Sequence, residues 1–293
     1  MTGKLHELAG TIAPESILID PEKLESAYYK DEIKGPVSFG TSGHRGSSLS
    51  GTFNDPHIAA TSQAICEYRR SKGITGPLFL GFDSHALSKP AFKTAIEVFT
   101  ANDVETVIHA NDQFTPTPVI SFLILEHNKD VHAKTGDGVV VTPSHNPPKD
   151  GGFKYNPPSG GPADVDATGW IQDRANAIIK KGGEDIKRIS YGKARKSANV
   201  HEQDFIAPFV KSLSQIVDMD LIKNAGLKIG ADPMGGSGVG FWEPIAELYG
   251  LDIDVVNKKT DPTFRFMTLD SDGQIRMDCS SPYAMAGLFA MSD

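Results

Sequence analysis

Residues 139–156 read VVVTPSHNPPKDGGFKYN. The β-branched run Val139, Val140, Val141 suits a short buried strand, and Thr142-Pro143 stops it because proline brings no N–H to a ladder. The stretch therefore predicts a strand that delivers Ser144 onto a loop. Pro143, Pro147 and Pro148 stiffen that loop by fixing φ, and Gly151 and Gly152 are expected to let the backbone turn and approach a ligand closely. Lys154 follows on the far side of the two glycines, so a hydroxyl, an imidazole (His145) and an ammonium are available to one small polar site.

That set suits transfer of a charged group through the serine. A serine hydroxyl is a weak nucleophile without a base or a cation beside it, and a phosphoryl group needs positive charge as it moves. His145 and Lys154 are the candidate proton-transfer and charge-stabilising groups. A Pro-rich turn whose Ser144 and His145 merely satisfy backbone groups accounts for the same residues equally well.

Working outward, the segments before Ser144 alternate. A helical arm over residues 1–34, with its helix at 22–29, precedes a first strand expected near Val37. Then come a helix at 55–70, a strand at 78–81, a helix at 89–101, a strand at 106–110, and the stiff loop FTPTP (114–118) leading into a helix that runs to 126. This alternation predicts an α/β fold with mixed, largely parallel sheets flanked by helices. Ligands of such folds collect at the carboxyl ends of strands, where Ser144 falls. Asp83 and His85 fall there too; they either line the site or form an Asx turn that caps the helix at Ser88. Thr115 and Thr117 read as structural.

Residues 39–46, FGTSGHRG, form a glycine-rich loop that aims Arg45 at whatever it encloses, unless it is a plain turn with a solvated arginine. After the site, a helix is expected over 164–182. The basic stretch RISYGKARKS (188–197) reads as a solvated connector, since a net charge of −8 argues against a nucleic-acid surface. A boundary near His201 divides the chain into residues 1–200 and 201–293. The second part should hold a helix at 203–217, a strand at 227–230, the loop ADPMGGSGVG (231–240), a helix from about Phe241 and a strand at 251–256. That loop resembles a phosphate-cradling turn yet fits neither common nucleotide pattern. Asp270 and Asp272 supply only two carboxylates, which favours a turn over a hard-cation site.

The composition is that of a soluble globular protein, with 39% hydrophobic and 23% charged residues and no run of 18 apolar residues to span a bilayer. Two cysteines, Cys66 and Cys279, and no secretory leader point to reduced thiols and a cytoplasmic protein. An anionic substrate would be held by a local basic pocket.

TPSHNPP (142–148), GGFKYN (151–156) and, upstream, FGTSGHRG (39–46) occur in an order and spacing that resemble the α-D-phosphohexomutase superfamily, and within it the bacterial type of phosphoglucomutase. The likeness runs over essentially the whole chain. It implies a phosphoserine at Ser144 that donates its phosphoryl group to a hexose phosphate and takes one back from a bisphosphate. Glucose 1-phosphate and glucose 6-phosphate would thus interconvert through glucose 1,6-bisphosphate. It implies that Arg45 contacts the active-site phosphate, with Ser42, His44 and Asn146 as further phosphate-binding candidates.

The resemblance also implies Mg²⁺, held by three aspartates and by the phosphate oxygen on Ser144. No D-x-D-x-D pattern occurs among the 293 residues. Residues 1–200 would then be the phosphoserine domain, and residues 201–293 a second α/β domain cut short before the metal loop. The chain is expected to be the N-terminal portion of a longer enzyme, weakly active or inactive without its C-terminal domains. A sister mutase acting on mannose or glucosamine phosphate, and a non-catalytic phosphosugar-binding scaffold, are the alternatives.

Overall fold

The computed structural model describes residues 5–30, 32–40 and 43–291, and their contacts group into two units. One comprises Glu22–Pro143 and Lys149–Phe205; the other comprises the N-terminal residues through Pro21, the loop Ser144–Pro148, and the chain from Ile206 onward.

The first unit runs α1 (Pro21–Tyr28), β1 (Gly43–Gly46), α2 (Asp55–Ser71), β2 (Leu78–Phe82), α3 (Ser88–Ala101), β3 (Thr106–His109), α4 (Thr117–Asn128), β4 (Asp137–Val141), β5 (Gly151–Asn156), α5 (Val165–Lys180), α6 (Tyr191–Ala194) and β6 (Val200–Gln203). The six strands make one sheet in the order β1-β5-β4-β2-β3-β6. β4, β2, β3 and β6 are parallel to one another, whereas β5 runs antiparallel to both β4 and β1. The sheet is thus mixed and largely parallel, as the alternation predicts.

Its central strands are apolar on both faces because helices cover both. Leu78, Leu80 and Val139 to Val141 are fully buried. Phe82 meets Phe92 of α3 with ring centroids 4.6 Å apart, while Phe79, of opposite parity, meets His127 of α4 at 5.9 Å. At the amino end of β4, Arg69 and Asp137 form a buried ion pair, and Tyr155 donates to the same carboxylate at 2.7 Å.

Two local expectations are corrected and a third is refined. Gly151 and Gly152 begin β5; they do not form a turn. A Cβ at Gly151 would lie 2.4 Å from the Phe53 ring, and one at Gly152 would lie 2.1 Å from the Thr142 carbonyl oxygen, so both glycines serve close packing. Val37 starts no strand. It is buried and extended, but its N–H and C=O both bond the Asn176 side chain of α5 at 2.8 Å, which satisfies the backbone without a neighbouring strand. The basic stretch at 188–197 is a largely exposed connector between α5 and β6, as expected, but a more structured one: it contains α6, Arg188 bonds Asp55 and Glu97, and Arg195 reaches Asp112 and Glu202.

The second unit contains α7 (Ile206–Ser212), α8 (Met219–Asn224), β7 (Lys228–Ala231), α9 (Val239–Tyr249), β8 (Asp252–Val255) and α10 (Ala286–Phe289). β7 and β8 pair in parallel, and Ala13, Phe264, Met267, Leu269, Ile275 and Ala284 form a buried cluster. Asp270 and Asp272 sit in a turn closed by the Leu269–Ile275 bridge, with Asp272 paired to Arg276 at 2.8 Å. Among the described residues no helix is long and apolar enough to cross a membrane.

Candidate active site

The site is built at the carboxyl end of the sheet's α4 face. Across neighbouring strands, paired residues share a face and alternate along each strand. Lys154 of β5 pairs with Val140 of β4 on one side and Gly43 of β1 on the other, and Val140 pairs with Gly81 of β2. Two residues on from Gly43, Val140 and Gly81 come Arg45, Thr142 and Asp83. The sheet therefore gathers Arg45, Lys154, Thr142 and Asp83 on one face, from four strands or their exits spread over more than 100 positions of chain.

Arg45 is exposed and Lys154 half-buried. Burial lowers the Lys154 pKa, the Arg45 charge lowers it further, and the Asp83 carboxylate opposes both. Asp83 itself is buried. Its Oδ1 accepts from Ser88 Oγ at 2.6 Å and from the His85 N–H at 3.0 Å, and its Oδ2 accepts from His85 Nδ1 at 2.9 Å. Burial pushes this carboxyl up, but the His85 ring and bonds from His85, Ser88 and Thr142 outweigh it and hold the group below its ordinary value. Asp83 and His85 thus form the Asx turn, and Asp83 shares the sheet face of Lys154.

Ser144 follows β4 through Thr142-Pro143. It is exposed and holds a φ of +66°, a left-handed conformation that costs a non-glycine residue about 1–2 kcal/mol. His145 is exposed and Asn146 partly so. This loop clusters with the second unit, where the Asp278 carboxyl is held low by bonds from Ser280 and, to a smaller degree, by the charge of His145.

His44 is placed elsewhere. Adjacent to Arg45 on β1, it points to the opposite face, is buried, stacks on Phe53 with centroids 5.8 Å apart, and lies 5.4 Å from the His57 ring. Burial and His57 push its pKa down to about 4, so the ring is neutral at physiological pH. Ser42 lies outside the described residues. Thr115 is buried beneath Gly81 and donates its N–H to Phe82, as a structural residue would.

Thr142 is the site residue that the sequence alone passed over, being read only as the end of a strand. Two residues beyond Val140, it shares the face of Lys154 only once the β4–β5 register is fixed, and no local signal in the sequence states that register. Among the described residues no group of three or more His, Cys, Asp or Glu side chains could hold a metal ion. The donor set of a magnesium centre is therefore not assembled by these residues, and no step is derived through one.

Two family models match the chain. "Phosphoglucomutase/phosphomannomutase, alpha/beta/alpha domain I" covers residues 36–181, and domain II of the same family covers residues 207–286. A phosphoglucomutase of Komagataeibacter xylinus is 53% identical over 99% of this chain and 53% of its own length. Phosphoglucomutase 1 of Saccharomyces cerevisiae is 31% identical over 71% of this chain and 36% of its own. The chain thus spans about half or less of the curated relatives it matches. The open form of the phosphoglucomutase pp63/parafusin from Paramecium superposes with a TM-score of 0.65 at 21% identity, covering 81% of this chain and 46% of that one, which shows the shared fold. With both domain models falling in order along one α/β chain, the protein belongs to the phosphoglucomutase/phosphomannomutase family of the α-D-phosphohexomutase superfamily.

Proposed function

We propose that this chain carries the phosphoserine half of a phosphoglucomutase, which interconverts glucose 1-phosphate and glucose 6-phosphate. The observation that carries the proposal is Ser144, exposed and held at positive φ immediately past the carboxyl end of β4. Strain at an exposed hydroxyl is retained where geometry serves a reaction.

Phosphorylated Ser144 gives its phosphoryl group to the free hydroxyl of the bound hexose phosphate. The P–Oγ bond breaks as the new P–O bond forms, yielding glucose 1,6-bisphosphate and free Ser144. The bisphosphate returns its other phosphoryl group to Ser144 Oγ, and the isomeric monophosphate leaves. Lys154, whose pKa is lowered by burial and by Arg45, is suited to take the proton of the attacking hydroxyl. Arg45 is assigned to the phosphate, as a guanidinium carried by β1 on the face of Lys154. His145 and Asn146 border the nucleophile, and the family models at 36–181 and 207–286 support a phosphoserine domain before residue 200 and a second domain after it. Mg²⁺ in the family supplies charge neutralisation at the phosphoserine; among the described residues, Ser144 would contribute its phosphate oxygen to it.

The test is incubation with glucose 1,6-bisphosphate followed by intact-mass and peptide analysis. One added phosphate on Ser144 is expected. A chain that takes none, or takes it elsewhere, would refute the assignment. Turnover of glucosamine or mannose phosphate to the exclusion of glucose phosphate, measured on a relative-length enzyme, would overturn the substrate.

A further inference from the structure

Asp83 has more bonds than its turn requires. An Asx turn into α3 is satisfied by the His85 N–H and by Ser88 Oγ, both on Oδ1. The second oxygen is nevertheless engaged by the His85 ring at 2.9 Å, and Thr142, just past the end of the neighbouring β4, bonds the carboxylate. The residue also extends the parallel ladder one position past β2, donating its own N–H to Val141 at 3.1 Å. Asp83 is thereby fixed beside Thr142, on the sheet face that carries Lys154 and Arg45. A buried ionised carboxylate needs a cation. The charged groups facing it are His85 from its own turn and Lys154 from β5; those facing Lys154 are Asp83 and Arg45 of β1.

Resting on the phosphoryl-transfer function proposed above, we propose that Asp83 is a positioning residue for Lys154. Clamped by His85, Ser88 and Thr142, its carboxylate shares the sheet face of Lys154 across β4, draws the ammonium toward the carboxyl end of the sheet and balances the repulsion from Arg45. His85 acts behind it, fixing the orientation of the carboxylate through a donated Nδ1–H. Arg45 and Asp83 then set, from opposite sides of the same lysine, the balance between its charged and neutral forms. Neither residue needs to touch the sugar.

The experiment follows Lys154 by NMR in the 293-residue chain carrying isotope-labelled lysine, with the resonance assigned by Lys154→Arg. Asp83→Asn keeps an acceptor for Ser88 Oγ and the His85 N–H, replaces the acceptor of the His85 ring by an NH2 donor and removes the charge, and it should lower the Lys154 pKa while circular dichroism stays unchanged. Ser88→Ala removes one bond to the turn and keeps the charge, and it should leave Lys154 where it is. By reciprocity, Lys154→Met should raise the Asp83 carboxyl pKa, a measurement that holds even if Asp83→Asn does not fold. Lys154 titrating identically in wild type and a folded Asp83→Asn, or Asp83 indifferent to Lys154→Met, would overturn the proposal. So would an equal shift in Ser88→Ala. These titrations do not depend on phosphate reaching Ser144, so their failure is distinguishable from failure of the proposed function. In an enzyme that turns over, the limb of the kcat/KM profile governed by Lys154 should move to lower pH in Asp83→Asn, a change that mere loss of packing would not produce.

Discussion

The Cβ that Gly152 lacks would fall 2.1 Å from the carbonyl oxygen of Thr142, so β5 can lie against the exit of β4 only because that position is bare. The same approach brings Lys154 level with Val140 and holds Thr142-Pro143 in place ahead of Ser144.

Gly152→Ala should therefore cost about 1–3 kcal/mol or more, since the obstacle is backbone and cannot swing aside. Gly169, inside α5 with open space where its Cβ would be, is the contrast. Gly169→Ala should gain about 0.5–1 kcal/mol from helix propensity. Urea unfolding of the two variants beside wild type reads both signs.

Arg69 and Asp137 define the opposite end of the sheet. Arg69 Nε donates to Asp137 at 3.0 Å and its Nη2 to the Gly76 carbonyl at 2.6 Å, all in the interior. Arg69→Met should lose about 3–5 kcal/mol at neutral pH, because an uncompensated carboxylate remains buried. Burial pushes the Asp137 pKa up to about 6 even against the pull of Arg69 and Tyr155. A raised pKa means that the folded state holds the proton more tightly. The contribution of this group is then full below pH 3.8 and is lost as pH rises through about 6. In Asp137→Asn that slope should vanish, as pH-dependent urea midpoints would show.

His44 works with the reverse sign. Its pKa falls from 6.5 to about 4 on folding, so the neutral ring is stabilising above pH 6.5 and that stability drains away as pH falls toward 4. The full loss is about 3 kcal/mol at 1.36 kcal/mol per pH unit. His44→Phe keeps the stack on Phe53 and removes the titration, so its unfolding free energy should decline less steeply than wild type between those pH values. Parallel slopes would show that the ring does not titrate on unfolding.

At Ser144 the φ of +66° can be tested apart from the chemistry. Ser144→Gly relieves the left-handed strain and Ser144→Ala does not, so the glycine variant should be the more stable of the two by about 1 kcal/mol. Neither should take up phosphate from glucose 1,6-bisphosphate. Thermal melts compare the stabilities and mass spectrometry reads the phosphate.

Most elements were legible because their signals are local. The Val139–Val141 run, the Gly after α2 and the apolar strand at 78–82 each declare themselves within a few residues, through propensity, capping and burial. Val37 was not legible, since an extended apolar residue looks the same whether a strand or the amide of Asn176 satisfies its backbone. The two glycines at 151 and 152 misled for a related reason: glycine allows a turn, but it equally allows close approach, and only the neighbours Phe53 and Thr142 decide which.

The sequence by itself determined the alternation of strands and helices and the exit of β4 at Thr142-Pro143, with Ser144 just beyond. Only tertiary structure decided that β5 inserts antiparallel between β1 and β4, and with that register came the sharing of one face by Arg45, Thr142, Lys154 and Asp83 and the turning of His44 to the other. The physical reason is the two-residue period of a strand: shifting one partner by a single position would exchange every side chain between faces, and no local feature of the chain states how strands distant in sequence are aligned.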